Sequence, residues 1–365
     1  MLFIVILSEA KNLVFYFEIK NEIPRRGVYP AASGAPRNDN NLGFLRWLLL
    51  NLNLILILIL IFALSLLFQT NSLAQKNSFS GPELPDSVLQ EKLAAMVKDF
   101  RGDVGIYVRH LPTGRTAAIR AEELFPTASM IKVSIMLRLF EKIHEGKLDY
   151  HASLVYRDSL LYPGEDILGS FRDSAKIPLS EVVMLMLTMS DNTASLWCQA
   201  MADSGQAIND FLERNGIHNT HVNSRTPGRR PDWEKYGWGQ TTPRDMCELL
   251  SMIRDGNAVS HDASEEMFRV LSRTYWDSEA LSQIPPFVHT ASKQGAVDES
   301  RSEVVLVNAP SGDYVFCVIT KNQIDTSWKA DNEGYVLLRN VSRLLWKYFE
   351  PKSDWKPAPA IDKWW

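Results

Sequence analysis

Phe125-Pro126-Thr127-Ala128-Ser129-Met130-Ile131-Lys132 opens a run that continues to His144. Its apolar positions, Ile131, Val133, Ile135, Met136, Leu137 and Leu139, read as a helix. Positions three apart share one helix face, so the Lys132 amine reaches the Ser129 hydroxyl. A serine hydroxyl is a poor nucleophile until a neighbouring base takes its proton. A lysine supplies that base when burial lowers its pKa. Ser129 also falls at a helix N-terminus, where backbone N–H groups favour developing negative charge. A Ser-x-x-Lys is common by chance, so its meaning rests on what accompanies it.

Two further short motifs lie downstream. Ser190-Asp191-Asn192 closes an apolar helix that runs from about Ser180 to Met189. Read alone it is a C-terminal turn, where short polar residues are expected. Lys293-Gln294-Gly295 ends a strand expected over Phe287–Lys293. Read alone it is a solvated lysine followed by a turn glycine. Neither motif is diagnostic by itself; the order and spacing of the three together are.

Around these motifs the chain alternates in a regular way. A helix is expected over about 86–100 with Asp86 as its cap, followed by a hairpin of Asp103–His110 and Arg115–Arg120 around Pro112-Thr113-Gly114. Asn192 to Asn215 continues the helical pattern to Gly216, and Asn223 to Gly239 reads as a long irregular loop rich in Pro, Gly, Arg and Trp. Thr242-Pro243-Arg244-Asp245 opens another helix, with Thr as cap and Pro in the first turn. Strands over Glu303–Asn308 and Tyr314–Thr320 flank a Pro310-Ser311-Gly312-Asp313 turn, and a helix over about Asn332 to Phe349 closes the chain. The fold class that follows is α+β. N- and C-terminal strands pair into one antiparallel sheet flanked by helices, and the middle forms a helical lobe.

The three motifs, in this order and spacing, resemble those of class A β-lactamases and penicillin-binding D-Ala-D-Ala peptidases. Met189-Ser190-Asp191-Asn192-Thr193-Ala194, Thr241-Thr242-Pro243-Arg244-Asp245-Met246 and the Lys293–Arg301 stretch extend the likeness over nearly all of residues 75–365. The resemblance implies Ser129 as acylated nucleophile and Lys132 as its proton acceptor. It implies Ser190 as the relay to the leaving nitrogen and Asn192 as the holder of the substrate amide. Lys293 would attract the substrate carboxylate with Gln294 beside it and Arg301 in support, and the N–H groups of Ser129 and Ala296 would form the oxyanion hole. No cofactor and no metal are implied.

Two positions depart from the pattern. Thr226, before Pro227, falls where a class A enzyme carries its deacylating glutamate, and a threonine is no carboxylate base; Glu234 further along the loop is the candidate substitute. Gln294 stands where the family has Thr or Ser, whose hydroxyl donates to the substrate carboxylate. The resemblance then implies acylation by β-lactams with slow deacylation. The alternatives are a D-Ala-D-Ala carboxypeptidase or other cell-wall amidohydrolase on the same fold, and an inactive homologue that binds peptidoglycan or a partner. The expected substrate is a β-lactam or a peptidoglycan stem peptide, and the expected state a monomer.

Composition sets the outer limits. The 365 residues are 45% hydrophobic and carry a formal net charge of −4, which gives no reason to expect nucleic-acid binding. Cys198, Cys247 and Cys317 are too few and too scattered for a disulfide framework, so buried free thiols are expected. Trp47 to Phe68 is an apolar run interrupted by Asn51, Asn53 and Ser65, and it leads to small residues at Ser72 and Ala74. Residues 41–74 therefore read as a signal peptide cleaved before Gln75, with an uncleaved membrane anchor as the alternative. Residues 1–40 match neither a signal nor a domain. An exported, extracytoplasmic protein is expected, touching a membrane only through this segment.

Overall fold

The computed structural model describes residues 81–358, apart from 163 and 165, and a few positions between 49 and 57. The chain divides into two units, residues 1–70 and 71–365. In the first, Leu49, Asn51, Leu52, Ile55 and Ile57 are helical. Otherwise the readings made for residues 1–74 lie outside the described residues. Among the described residues no helix is long and apolar enough to cross a membrane.

The second unit begins with β1 (Leu84–Pro85) and α1 (Ser87–Val97), where the buried Asp86 caps the helix by accepting from the Leu89 N–H at 3.1 Å. The hairpin β2 (Asp103–His110) and β3 (Arg115–Ile119) follows, then the short β4 (Phe125–Pro126) and α2 (Lys132–His144). A small hairpin, β5 (Ser153–Val155) and β6 (Lys176–Pro178), precedes α3 (Leu179–Thr188) and α4 (Asn192–Met201). Next come α5 (Ser204–Arg214), β7 (His221–Val222), α6 (Arg230–Tyr236), β8 (Gly239–Thr241), α7 (Pro243–Arg254) and α8 (His261–Leu271). The chain returns through β9 (Thr290–Val297), β10 (Ser300–Val307) and β11 (Tyr314–Lys321) to α9 (Glu333–Phe349).

The main sheet runs β1-β3-β2-β11-β10-β9, so the first and last strands pair as expected, antiparallel except for the short parallel β1–β3 contact. Every residue of β10 is buried, because both faces of the sheet are covered. Val305 and Val307 join Leu89, Leu93, Leu338 and Val341 under α1 and α9. Val304 and Leu306 join Met130, Val133, Val183 and Met246 beneath the helical lobe. Burial of these aliphatic side chains supplies the main driving force for this layered packing. Cys198, Cys247 and Cys317 are buried free thiols.

Several boundaries differ from the expectations. The continuous helix expected over Asn192–Asn215 is broken at Asp203 and Ser204, whose φ angles of 66° and 87° are left-handed. Within the loop expected over Asn223–Gly239, α6 forms, opened by Pro231 and Asp232 in its first turn and stopped at Gly237, φ 69°. Helix α8, capped by Ser260 accepting from the Ala263 N–H, has no counterpart in the sequence reading. Strand β9 starts three residues late and continues to Val297, because its register on β10 runs from Thr290↔Val307 to Val297↔Ser300. Lys293 therefore sits mid-strand.

Candidate active site

Ser129 lies in a single 3₁₀ turn, Ala128–Ile131, that feeds directly into α2. Ala128 just before it is held at φ 45°, a conformation that an L-residue keeps only when its surroundings impose it. Edge strand β9 closes against this turn because Gly295 has no side chain. A Cβ there would lie 2.6 Å from the Thr127 carbonyl oxygen and 3.0 Å from the Ser129 nitrogen. Ser190, between α3 and α4, is also left-handed at φ 60°. The buried Asp191 fixes that turn: Oδ1 accepts from the Ala194 N–H at 2.7 Å, and Oδ2 accepts from the N–H groups of Ile167 and Leu168 at 2.8 and 2.9 Å.

These strained turns bring two fully buried lysines to one hydroxyl. Lys132 Nζ lies within hydrogen-bond distance of four oxygens: Ser129 Oγ at 3.0 Å, the Ser190 carbonyl at 2.5 Å, Ser190 Oγ at 3.1 Å and Asn192 Oδ1 at 2.9 Å. Lys293 Nζ donates to Ser190 Oγ at 3.0 Å, the Gln294 carbonyl at 3.0 Å and Gln294 Oε1 at 2.7 Å. Burial pushes the Lys132 amine down to about 7, opposed by the Asp191 charge. Burial and then the Lys132 charge hold Lys293 well below its ordinary value. An amine that titrates near neutrality, within hydrogen-bond reach of a serine, is equipped to take that serine's proton.

A cleft of about 490 Å³ opens on this group, walled by Ser129, Asn192, Tyr162, Trp238, Ala296 and Val297 among others. Ser129 and Ala296 both line it. The Trp238 ring centroid lies 5.8 Å from Lys132 Nζ, and Tyr162 stands edge-on to Trp238 at 5.2 Å. Among the described residues lining the cleft, Glu299 in the β9–β10 turn is the one carboxylate. Among the described residues no cluster of ligand-type side chains could hold a metal ion.

Three sequence expectations need correction here. Arg301 does not reach the cleft. It faces Ala296 across β9–β10, on the opposite side of the sheet from Lys293. Its guanidinium donates to the carbonyls of Val297, Ser300 and Ser327 and is sandwiched between Trp328 and Tyr335. Thr226 is buried against the first turn of α5, where a Cβ on Gly205 would come within 1.8 Å of its Oγ1, and it donates to the Ser224 carbonyl at 3.1 Å. Glu234 is exposed on α6 and paired with Arg230 at 2.7 Å. The loop residue that comes to Lys132 is Trp238. Tyr162 was missed altogether, since nothing in its local pattern marks it; its N–H bond to Thr193 Oγ1, beside the second motif, and its ring contact with Trp238 hold it in place.

The model of the β-lactamase enzyme family matches residues 88–349, which takes in every element from α1 to α9. The chain belongs to that family. It is 26% identical over 273 residues to a β-lactamase of Streptomyces fradiae, covering 70% of this chain and 85% of that one. Against β-lactamase BRO-1 of Moraxella catarrhalis it is 23% identical over 263 residues, 67% of this chain and 82% of the relative. Among solved structures, PBP-A superposes with a TM-score of 0.67 at 26% identity, over 74% of this chain and 99% of PBP-A. A mutant of PBP-A with the same likeness is an acyl-enzyme complex with penicillin G. A β-lactamase from Sphaerobacter thermophilus shares the fold, with a TM-score of 0.64 at 20% identity over 73% of this chain and 97% of that one. As a family member the chain is a β-lactamase-like serine hydrolase, and the α+β fold is that of these neighbours.

Proposed function

We propose that the protein opens β-lactam amide bonds through an acyl-enzyme on Ser129 and releases the acyl group slowly. The observation that carries this reading is the fully buried Lys132 amine, 3.0 Å from Ser129 Oγ and 3.1 Å from Ser190 Oγ. Ser129 Oγ attacks the carbonyl carbon as its proton passes to Lys132 Nζ. Ser190 Oγ, hydrogen-bonded to both lysines, then hands its proton to the ring nitrogen as the C–N bond breaks and takes in exchange the proton that Lys132 received, which returns the amine to its neutral form. The N–H groups of Ser129 and Ala296 are assigned to the developing oxyanion, and Asn192 to the acylamino side chain. Slow release follows from the loop: Thr226 and Glu234 face elsewhere, and Trp238 takes the ground beside Lys132. Export through residues 41–74 belongs to the same proposal, supported by the apolar run that ends before Ser72 and Ala74.

Among the described residues no carboxylate is hydrogen-bonded to Lys132, which also favours a second reading, a cell-wall D-Ala-D-Ala peptidase. The penicillin complex of the PBP-A mutant is consistent with either reading. A fluorescent penicillin tests the shared core: it should label the wild-type protein and leave Ser129→Ala unlabelled. Labelling of Ser129→Ala at the wild-type rate would remove Ser129 from the mechanism.

A further inference from the structure

A lysine ammonium has three N–H donors and no acceptor. On Lys293 all three point at acceptors within the protein: Ser190 Oγ, the Gln294 carbonyl and Gln294 Oε1. The last is the shortest, at 2.7 Å. In this orientation the carboxamide turns its acceptor oxygen, and not its Nε2 donors, toward the Lys293 amine. Gln294 thus holds on Lys293 the kind of oxygen that an incoming carboxylate would bring. A threonine or serine at this position, the residue expected there, has a shorter hydroxyl that donates to an anion instead.

We propose that Gln294 is a specificity-determining positioning residue that competes with a substrate carboxylate for Lys293, so that the site prefers acyl donors whose terminus there is uncharged. The matching substrate class is an ester, a carboxamide or an internal peptide bond, in place of a chain ending in a free carboxylate. A free acid enters only by displacing Oε1 from a buried amine. An uncharged donor leaves the Lys293–Gln294 pair in place. The inference rests on the proposed acylation of Ser129 and deepens it by naming what lies next to the scissile bond.

The test compares acylation rate constants for benzylpenicillin and for its methyl ester, followed by intact-protein mass in the full chain. Gln294→Thr is expected to raise the acid rate relative to the ester rate about tenfold, a change in their ratio worth about 1.4 kcal/mol. Gln294→Glu keeps an oxygen on Lys293 and adds a charge, so it should lower the acid rate relative to the ester rate. A purely structural role would move both probes together. An unchanged acid-to-ester ratio in both variants, or equal loss with both probes, overturns the inference. Wild-type protein acylated by neither probe overturns the Ser129 reading, and this inference with it.

Discussion

Lys132 is enclosed by acceptors and an aromatic ring, and among the described residues no carboxylate is hydrogen-bonded to its amine. Burial therefore outweighs the Asp191 charge and brings its titration down to about 7 from an ordinary 10.5. The proton-accepting form is the neutral amine, so acylation should rise with pH, fall about tenfold per unit below the titration point, and level off above it. A pH–rate profile of benzylpenicillin acylation checks this. A profile that climbs only near the ordinary lysine range, or that is flat, would show that Lys132 is not the base. The residues of this site were legible to different degrees. Ser129, Lys132, Ser190, Asn192 and Lys293 converge as their motifs imply: the first four sit at or beside turns whose local chemistry is encoded nearby, and Lys293 reaches Ser190 Oγ from the middle of β9. Arg301 does not, because its face depends on strand register. Lys293 pairs with Val304 and Arg301 with Ala296, and an offset of three residues along β9 sends the two side chains to opposite faces.

At the scale of elements, the segment from β7 to β8 decides what surrounds the serine. Its fastening is specific. Gln199 on α4 donates to the Ser224 carbonyl at 2.6 Å and accepts from Ser224 Oγ at 3.0 Å, while Asn209 on α5 exchanges two bonds with the Val222 backbone. Arg229 reaches Asn223 and Gln240 across the loop. These bonds keep Thr226 turned toward α5 and Trp238 beside Lys132. Gln199→Ala leaves the buried Ser224 hydroxyl without its acceptor and the Ser224 carbonyl with Thr226 Oγ1 as its remaining donor, and should cost about 1–3 kcal/mol, seen as a lowered denaturation midpoint. By freeing the loop that carries Trp238, it should also speed loss of the acyl group. Unchanged stability would mean that the loop is held elsewhere. The sequence showed this stretch as irregular because its Pro, Gly and Arg content masks a seven-residue helix, too short for a periodic signal. Helix α8 escaped for the opposite reason: its cap and apolar spacing were present, at Ser260, Met267, Val270 and Leu271, but lay outside the motifs that guided the reading.

At the scale of the whole molecule, the sheet joins the two ends of the chain and holds β9 as a free edge against the serine turn. The helical lobe supplies Lys132, Ser190 and Asn192 from its own turns. The architecture was legible because strand and helix patterns segregate along the chain, and only the pairing order and the exact register needed three dimensions. Among the described residues the proposed nucleophile, base and relay come together with no carboxylate hydrogen-bonded to Lys132, and the central claim is an acyl-enzyme that forms at Ser129 and persists. The most direct measurement is an intact-mass time course of the protein with benzylpenicillin, continued after excess penicillin is removed, with Ser129→Ala as control. The account predicts a Ser129-dependent adduct that outlasts the removal of penicillin by hours. An adduct that vanishes within seconds while penicillin is consumed, or an adduct that Ser129→Ala also forms, would contradict it.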